Sequence, residues 1–192
     1  MKKLLIISLV LGLLAPFSVI AQEPSQEEMQ KAWMAYMMPN EMHKMLATWV
    51  GEWETTTQFF MGPGAPPQES TGKCVNTMVM GGRYLQGVQT GTAMGMPMEG
   101  RSITGYDNAK KEFVSTWIDN FGTGIAVSAG TWDAEKNACM MKGTMTDPMT
   151  KKDTDFDMEI KMVDENTQVM TMWSYMGDKK FKSMVMTYKR AK

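Results

Sequence analysis

Methionine is the residue that most invites a chemical reading here, because Met94-Gly95-Met96-Pro97-Met98 sets three thioethers within five positions. Thioethers are soft ligands suited to Cu(I), so Met94, Met96 and Met98 form a candidate soft-metal cluster. The competing reading is packing. The chain carries 24 methionines, while beyond residue 21 it has only two leucines, Leu46 and Leu85, so methionine has to fill much of the interior. Met158 and Met162 interleave with Phe156 and Ile160, and Met184 and Met186 stand two apart, which are core positions in a strand. A cavity lined this way is flexible and polarisable and suits apolar ligands of varied shape.

Catalytic chemistry finds little footing. The single histidine, His43, follows a helical pattern and precedes Lys44, a setting typical of surface or packing roles. No G-x-S-x-G elbow, phosphate-binding glycine loop or array of histidines with carboxylates is present. A carboxylate site would have to use Asp107 and Asp119, yet each closes an expected strand, where turn initiation is the default role. No cofactor is expected, and the balance favours a protein that is not an enzyme. Cys74 and Cys139 admit two readings. A disulfide between them would close a 65-residue loop and contribute up to about 4 kcal/mol on the chain-entropy model. Two separate buried thiols are equally consistent with the spacing.

These residues need a scaffold and an address. Lys2 and Lys3, the apolar run Leu4 to Leu14 and the small-residue pattern Val19-Ile20-Ala21 have the layout of a secretory signal peptide over 1–21. Export to a periplasmic or extracellular space is therefore expected, with cleavage near Ala21 and no transmembrane segment in the mature chain. Loss of Lys2 and Lys3 takes the formal charge from −1 to −3. With no basic patch interleaved with aromatics, nucleic acid is not an expected partner.

Residues 22–47 read as a helical segment. Ser25 and Glu28 have capping-box spacing, Met29, Trp33 and Met37 recur at helical intervals, and Pro39 ends the run. Met42, Met45, Leu46 and Trp49 suggest a second short helix, and the whole segment is expected to pack as a lid or plug over one barrel end. Over 48–192 the period changes to two. Phe156, Met158, Ile160 and Met162 alternate with Asp155, Asp157, Glu159 and Lys161, and turn signals such as Gly81-Gly82, Asp107-Asn108 and Asp147-Pro148 recur between such runs. About ten strands follow, near 49–60, 68–80, 83–93, 98–107, 111–119, 123–132, 137–146, 153–163, 167–176 and 180–189. Connections this short make neighbours antiparallel, and closure into an up-and-down barrel buries the apolar face and removes both edges. A two-sheet sandwich is the alternative.

Five blocks occur in order: Gly51-Glu52-Trp53-Glu54, Gly81-Gly82-Arg83-Tyr84, Met96-Pro97-Met98-Glu99-Gly100, Thr104-Gly105-Tyr106-Asp107 and Ser115-Thr116-Trp117-Ile118-Asp119-Asn120. Together they resemble the bacterial family termed domain of unknown function 1579, over about residues 42 to 189. The resemblance implies a lipocalin-like (calycin) all-β barrel and brings no catalytic residues with it. A more distant likeness is to nitrobindin-type haem barrels, which share the opening Gly-x-Trp strand. Those hold iron through a late histidine, and no histidine follows His43 here, which argues against histidine-ligated haem.

The reading that results is an exported binding protein, holding a small, largely apolar molecule inside a barrel lined with methionine and aromatic residues. Expected ligand contacts are Trp53, Arg83, Tyr106, Trp117 and Trp173. Arg83 and Arg101 lie near strand starts, and an inward arginine would demand a carboxylate partner or a ligand acid group. The Cu(I) cluster and the carboxylate enzyme are the alternatives, and the oligomeric state is not set by the sequence.

Overall fold

The computed structural model describes residues 23–192, so the expected signal peptide over 1–21 lies outside the described residues. Two helices, α1 (Gln26–Met37) and α2 (Glu41–Ala47), precede ten strands. These are β1 (Gly51–Phe59), β2 (Gln68–Val79), β3 (Tyr84–Ala93), β4 (Met96–Asp107) and β5 (Glu112–Asp119), then β6 (Ala126–Asp133), β7 (Ala138–Asp147), β8 (Lys152–Asp164), β9 (Thr167–Met176) and β10 (Lys179–Arg190). Each strand pairs antiparallel with the next, and β1 also pairs with β10, so the sheet closes into a ten-stranded barrel. No edge is left to template pairing with another chain.

Local chemistry sets the reversals. Asp107, Asp133 and Asp147 each end a strand, and one carboxylate oxygen accepts from the backbone N–H groups two and three residues on. Four residues after each aspartate, Lys111, Asn137 and Lys151 take φ of 58°, 52° and 58° and turn the chain back. β3 and β4 are joined by Met94 and Gly95 alone, at φ 52° and 76°, the two-residue hairpin whose twist matches its strands. At Gly130 a Cβ would lie 1.9 Å from the Met140 carbonyl oxygen, so only glycine permits β6 and β7 to approach this closely.

The N-terminal segment divides in two. α2 plugs the barrel end where β1 begins: Leu46 and Trp49 are buried in one cluster with Leu85, Phe113, Cys139 and Met141. α1 departs from the expected lid. It buries no residue, although its Ser25–Glu28 capping box forms as expected. Arg83 donates from Nη2 to the Met37 carbonyl at 2.8 Å, and Asn108 donates to the Met38 carbonyl at 2.8 Å, which fixes the end of α1 outside the wall. Leu46 and Trp49 already cover the apolar cluster at that barrel end, which leaves α1 outside. No helix among the described residues is long and apolar enough to cross a membrane.

Candidate functional site

Register decides which side chains face the lumen, because directly paired residues share a face. Buried Trp53, Thr55 and Thr57 place the odd positions of β1 inside, and the pairing carries that parity round the barrel. One rung then reads Met141–Met158–Met172–Met184–Phe59 across β7, β8, β9, β10 and β1. The rung nearer α2 reads Cys139–Ile160–Met170–Met186–Thr57. Six methionines on four neighbouring strands thus form a continuous thioether wall. Met158, Met170, Met172 and Met184 are only half-buried, so this wall keeps accessible surface on the inside of the barrel.

The opposite wall is polar. Ser102, Thr104, Ser115 and Ser128 face inward, and the Thr104 and Ser115 hydroxyls bond to each other at 2.8 Å. Gln89 donates from Nε2 to Thr55 Oγ1 at 2.7 Å, both side chains buried. One rung nearer the α2 floor than the methionines, Gln168, Tyr188 and Thr55 stand side by side. Burial pushes the Tyr188 phenol above its ordinary range, so it stays neutral. At mid-height the lumen therefore has a greasy side and a hydrogen-bonding side, over a polar belt and an apolar floor.

The expected contacts are not gathered in one place. Trp53 is an element of the floor: its Nε1–H donates to the Trp49 carbonyl at 3.0 Å and the Arg190 guanidinium lies 4.2 Å from its ring centre. Tyr106 also lies at the floor, packed edge-on against Phe113 at 5.0 Å. Trp117 is inside, toward the other mouth, with its indole N–H donating to Asp119 at 2.7 Å. Two of the five are outside. Arg83 clamps α1 as described, and Trp173, at a position of β9 that alternates with inward Met172 and Ser174, lies on the outer face with Lys180 5.1 Å from its ring centre. Arg101 is also outside, paired with Glu99 at 2.8 Å in water.

The metal candidates separate too. Met94 occupies the exposed hairpin turn, whereas Met96 and Met98 belong to β4 and alternate inward at the mouth. They obey the strand period, and β4 starts two residues earlier than expected because the turn before it is only two residues long. Asp107 ends β4 in a turn at the α2 end and Asp119 ends β5 at the mouth, at opposite ends of the barrel wall, so they share no site. Cys74 and Cys139 are separate buried thiols on β2 and β7, five strands apart round the barrel. The residues that do line the lumen and were not singled out are Met141, Met170, Met172, Gln168 and Tyr188. Their alternation is visible in the sequence, but apolar residues on both faces of β9 and β10 hide which face is inner.

Two grooves mark the outside. One of about 560 Å³ lies between α1 and the wall, with Trp33, Tyr36 and Met37 on one side and Tyr84, Ile103 and Val114 on the other. A wider one of about 920 Å³ crosses β6 to β8. At its border Asp157 accepts from Lys180 and Tyr175, and these bonds hold its carboxyl below the usual range.

Comparison with known proteins bears on the whole chain. The model of a family described as "Protein of unknown function (DUF1579)" matches residues 23–190. No curated protein matches in sequence. Among solved structures, Rv2717c from M. tuberculosis aligns with a TM-score of 0.57 at 13% identity, over 78% of this chain and 96% of that one. The S-type phycobiliprotein lyase CPES from Guillardia theta aligns with a TM-score of 0.55 at 10% identity, over 83% and 97% of the two chains. At such identities the likeness is one of fold.

Proposed function

The chain belongs to the DUF1579 family, whose description names no activity, and from that premise we propose that it is an exported binding protein that holds a small, largely apolar molecule in its barrel lumen. The observation that carries this reading is the thioether wall, in which Met158, Met172 and Met184 stand in direct register and are only half-buried. A barrel that needed only a filled core would seal these side chains against one another. Methionine adapts to ligands of varied outline, and the floor closed by Leu46 and Trp49 leaves one mouth for entry. The barrel fold shared with a phycobiliprotein lyase is compatible with a binding role.

The test is direct. Protein purified from the exporting compartment and sprayed under native conditions should carry a bound small molecule, and the stripped protein should bind an uncharged apolar fluorophore such as N-phenyl-1-naphthylamine. The double variant Met158→Ala/Met172→Ala should weaken that fluorophore about tenfold or more, since two side chains of wall surface are lost. Protein that emerges empty and leaves the fluorophore in water ends the proposal.

A further inference from the structure

Gln168 is 4% exposed on the inner face of β9, and its amide nitrogen has no hydrogen-bond partner among the described residues. A buried donor left without an acceptor costs more than the bond itself contributes, so native interiors rarely keep one without a reason. The position of this donor is informative. On the same strand, one rung toward the mouth, is Met170, and beyond it Met172; on β10 the matching rungs are Tyr188, Met186 and Met184. The unpaired amide therefore stands at the foot of the thioether wall. A second unpaired donor, Trp49 Nε1, is buried at the floor itself.

The charge inventory narrows what could meet this amide. Arg190, which covers the Trp53 ring at the floor, already donates to the carbonyls of Val50, Thr48 and Glu165. Asp119, the inward carboxylate of β5, is at the mouth and bonded to Trp117. Tyr188, beside Gln168, is neutral. A charged head would thus meet no free counter-charge at the belt, whereas a neutral oxygen would meet a waiting N–H.

We infer that the lumen takes an elongated, uncharged amphiphile head first, its hydroxyl or carbonyl oxygen accepting from the Gln168 amide and its chain lying along the methionine rungs. The inference rests on the lumenal reading above and adds polarity, orientation and the residue that reads the head. Gln168 is accordingly the specificity residue of the site.

The experiment is displacement of N-phenyl-1-naphthylamine from the mature chain by three twelve-carbon probes: 1-dodecanol, 1-chlorododecane and dodecanoate at pH 8. Dodecanol should bind about tenfold tighter than the chloride, which matches it in length but accepts hydrogen bonds poorly, and also tighter than the carboxylate anion. In Gln168→Met, which keeps side-chain length and loses the amide, dodecanol should fall to the level of the chloride while the chloride is unchanged. Equal binding of alcohol and chloride by the wild type overturns the inference, as does a preference that Q168M retains, and either result leaves the lumenal reading standing. Failure of the fluorophore to bind at all removes both. Should Q168M not fold, the wild-type ratio of alcohol to chloride decides by itself.

Discussion

Cys74 and Cys139 show how position in the barrel decides what a cysteine can do. A disulfide needs Cα atoms within about 7 Å, and residues on β2 and β7 are half a circumference apart. Burial instead pushes the Cys74 thiol up to about 11 and the Cys139 thiol up to about 12. Since the thiolate is the nucleophile, both should be nearly inert in the folded protein. Labelling with iodoacetamide at pH 8, read by mass spectrometry, should proceed at least about a hundredfold more slowly in native than in denatured protein. Rapid labelling of either native cysteine would mean that its stretch of wall opens readily to solvent. The same rule, that surroundings decide what a residue does, accounts for Trp53 and Arg83. Both belong to blocks legible in the sequence, yet one braces the floor and the other ties down α1, because their partners lie in segments that no local pattern connects to them.

The elements were far more legible than the site they enclose. Turn chemistry and two-residue alternation foretold all ten strands and their antiparallel order, since an Asp-initiated turn leaves its mark within five residues, whereas the two-residue Met94-Gly95 hairpin was not foretold, nor with it the first two residues of β4. Trp173 was expected inside and lies outside because β9 carries Val169 and Trp173 on one face and Met170 and Met172 on the other, so alternation exists without contrast. The helix α2 was foretold by its apolar spacing, but its electrical state was not. There His43 Nδ1 lies 3.1 Å from the Asn40 backbone nitrogen and 3.1 Å from Asn40 Oδ1, closing the capping box at the start of α2. Burial first, and then the Arg83 guanidinium, lower the His43 pKa below its ordinary value. The unfolded chain therefore takes up this proton before the folded one does. Stability is complete above the ordinary value, near 6.5, and declines as pH falls through it toward the lower folded value. Thermal melts between pH 7.5 and 5 should show that decline in the wild type and a flatter profile in His43→Phe. Parallel curves for the two proteins would exclude His43 as the source.

Closure gives the whole molecule its cooperativity, and one side chain near the C-terminus holds the seam. β1 and β10 are the first and last strands, so every other strand depends on their meeting. Arg190 secures that junction from three sides, donating from Nη1 to the Val50 carbonyl at 2.8 Å and from Nη2 to those of Thr48 at 3.0 Å and Glu165 at 3.4 Å, with its guanidinium over Trp53. A leucine there would leave several backbone acceptors without a charged donor and remove a cation–π contact, at a cost of about 2–3 kcal/mol. Arg101 provides the contrast, because its partner Glu99 is also exposed and such pairs contribute at most about 1 kcal/mol. In urea, Arg190→Leu should unfold in a single transition with its midpoint lowered by about 1 M, whereas Arg101→Leu should lie close to wild type. The shape of the curve carries as much information as its midpoint. If the strands were separable layers, weakening the seam would split the transition in two; in a closed cylinder the loss of one seam releases the entire sheet at once, so a biphasic Arg190→Leu curve would contradict the closed architecture itself.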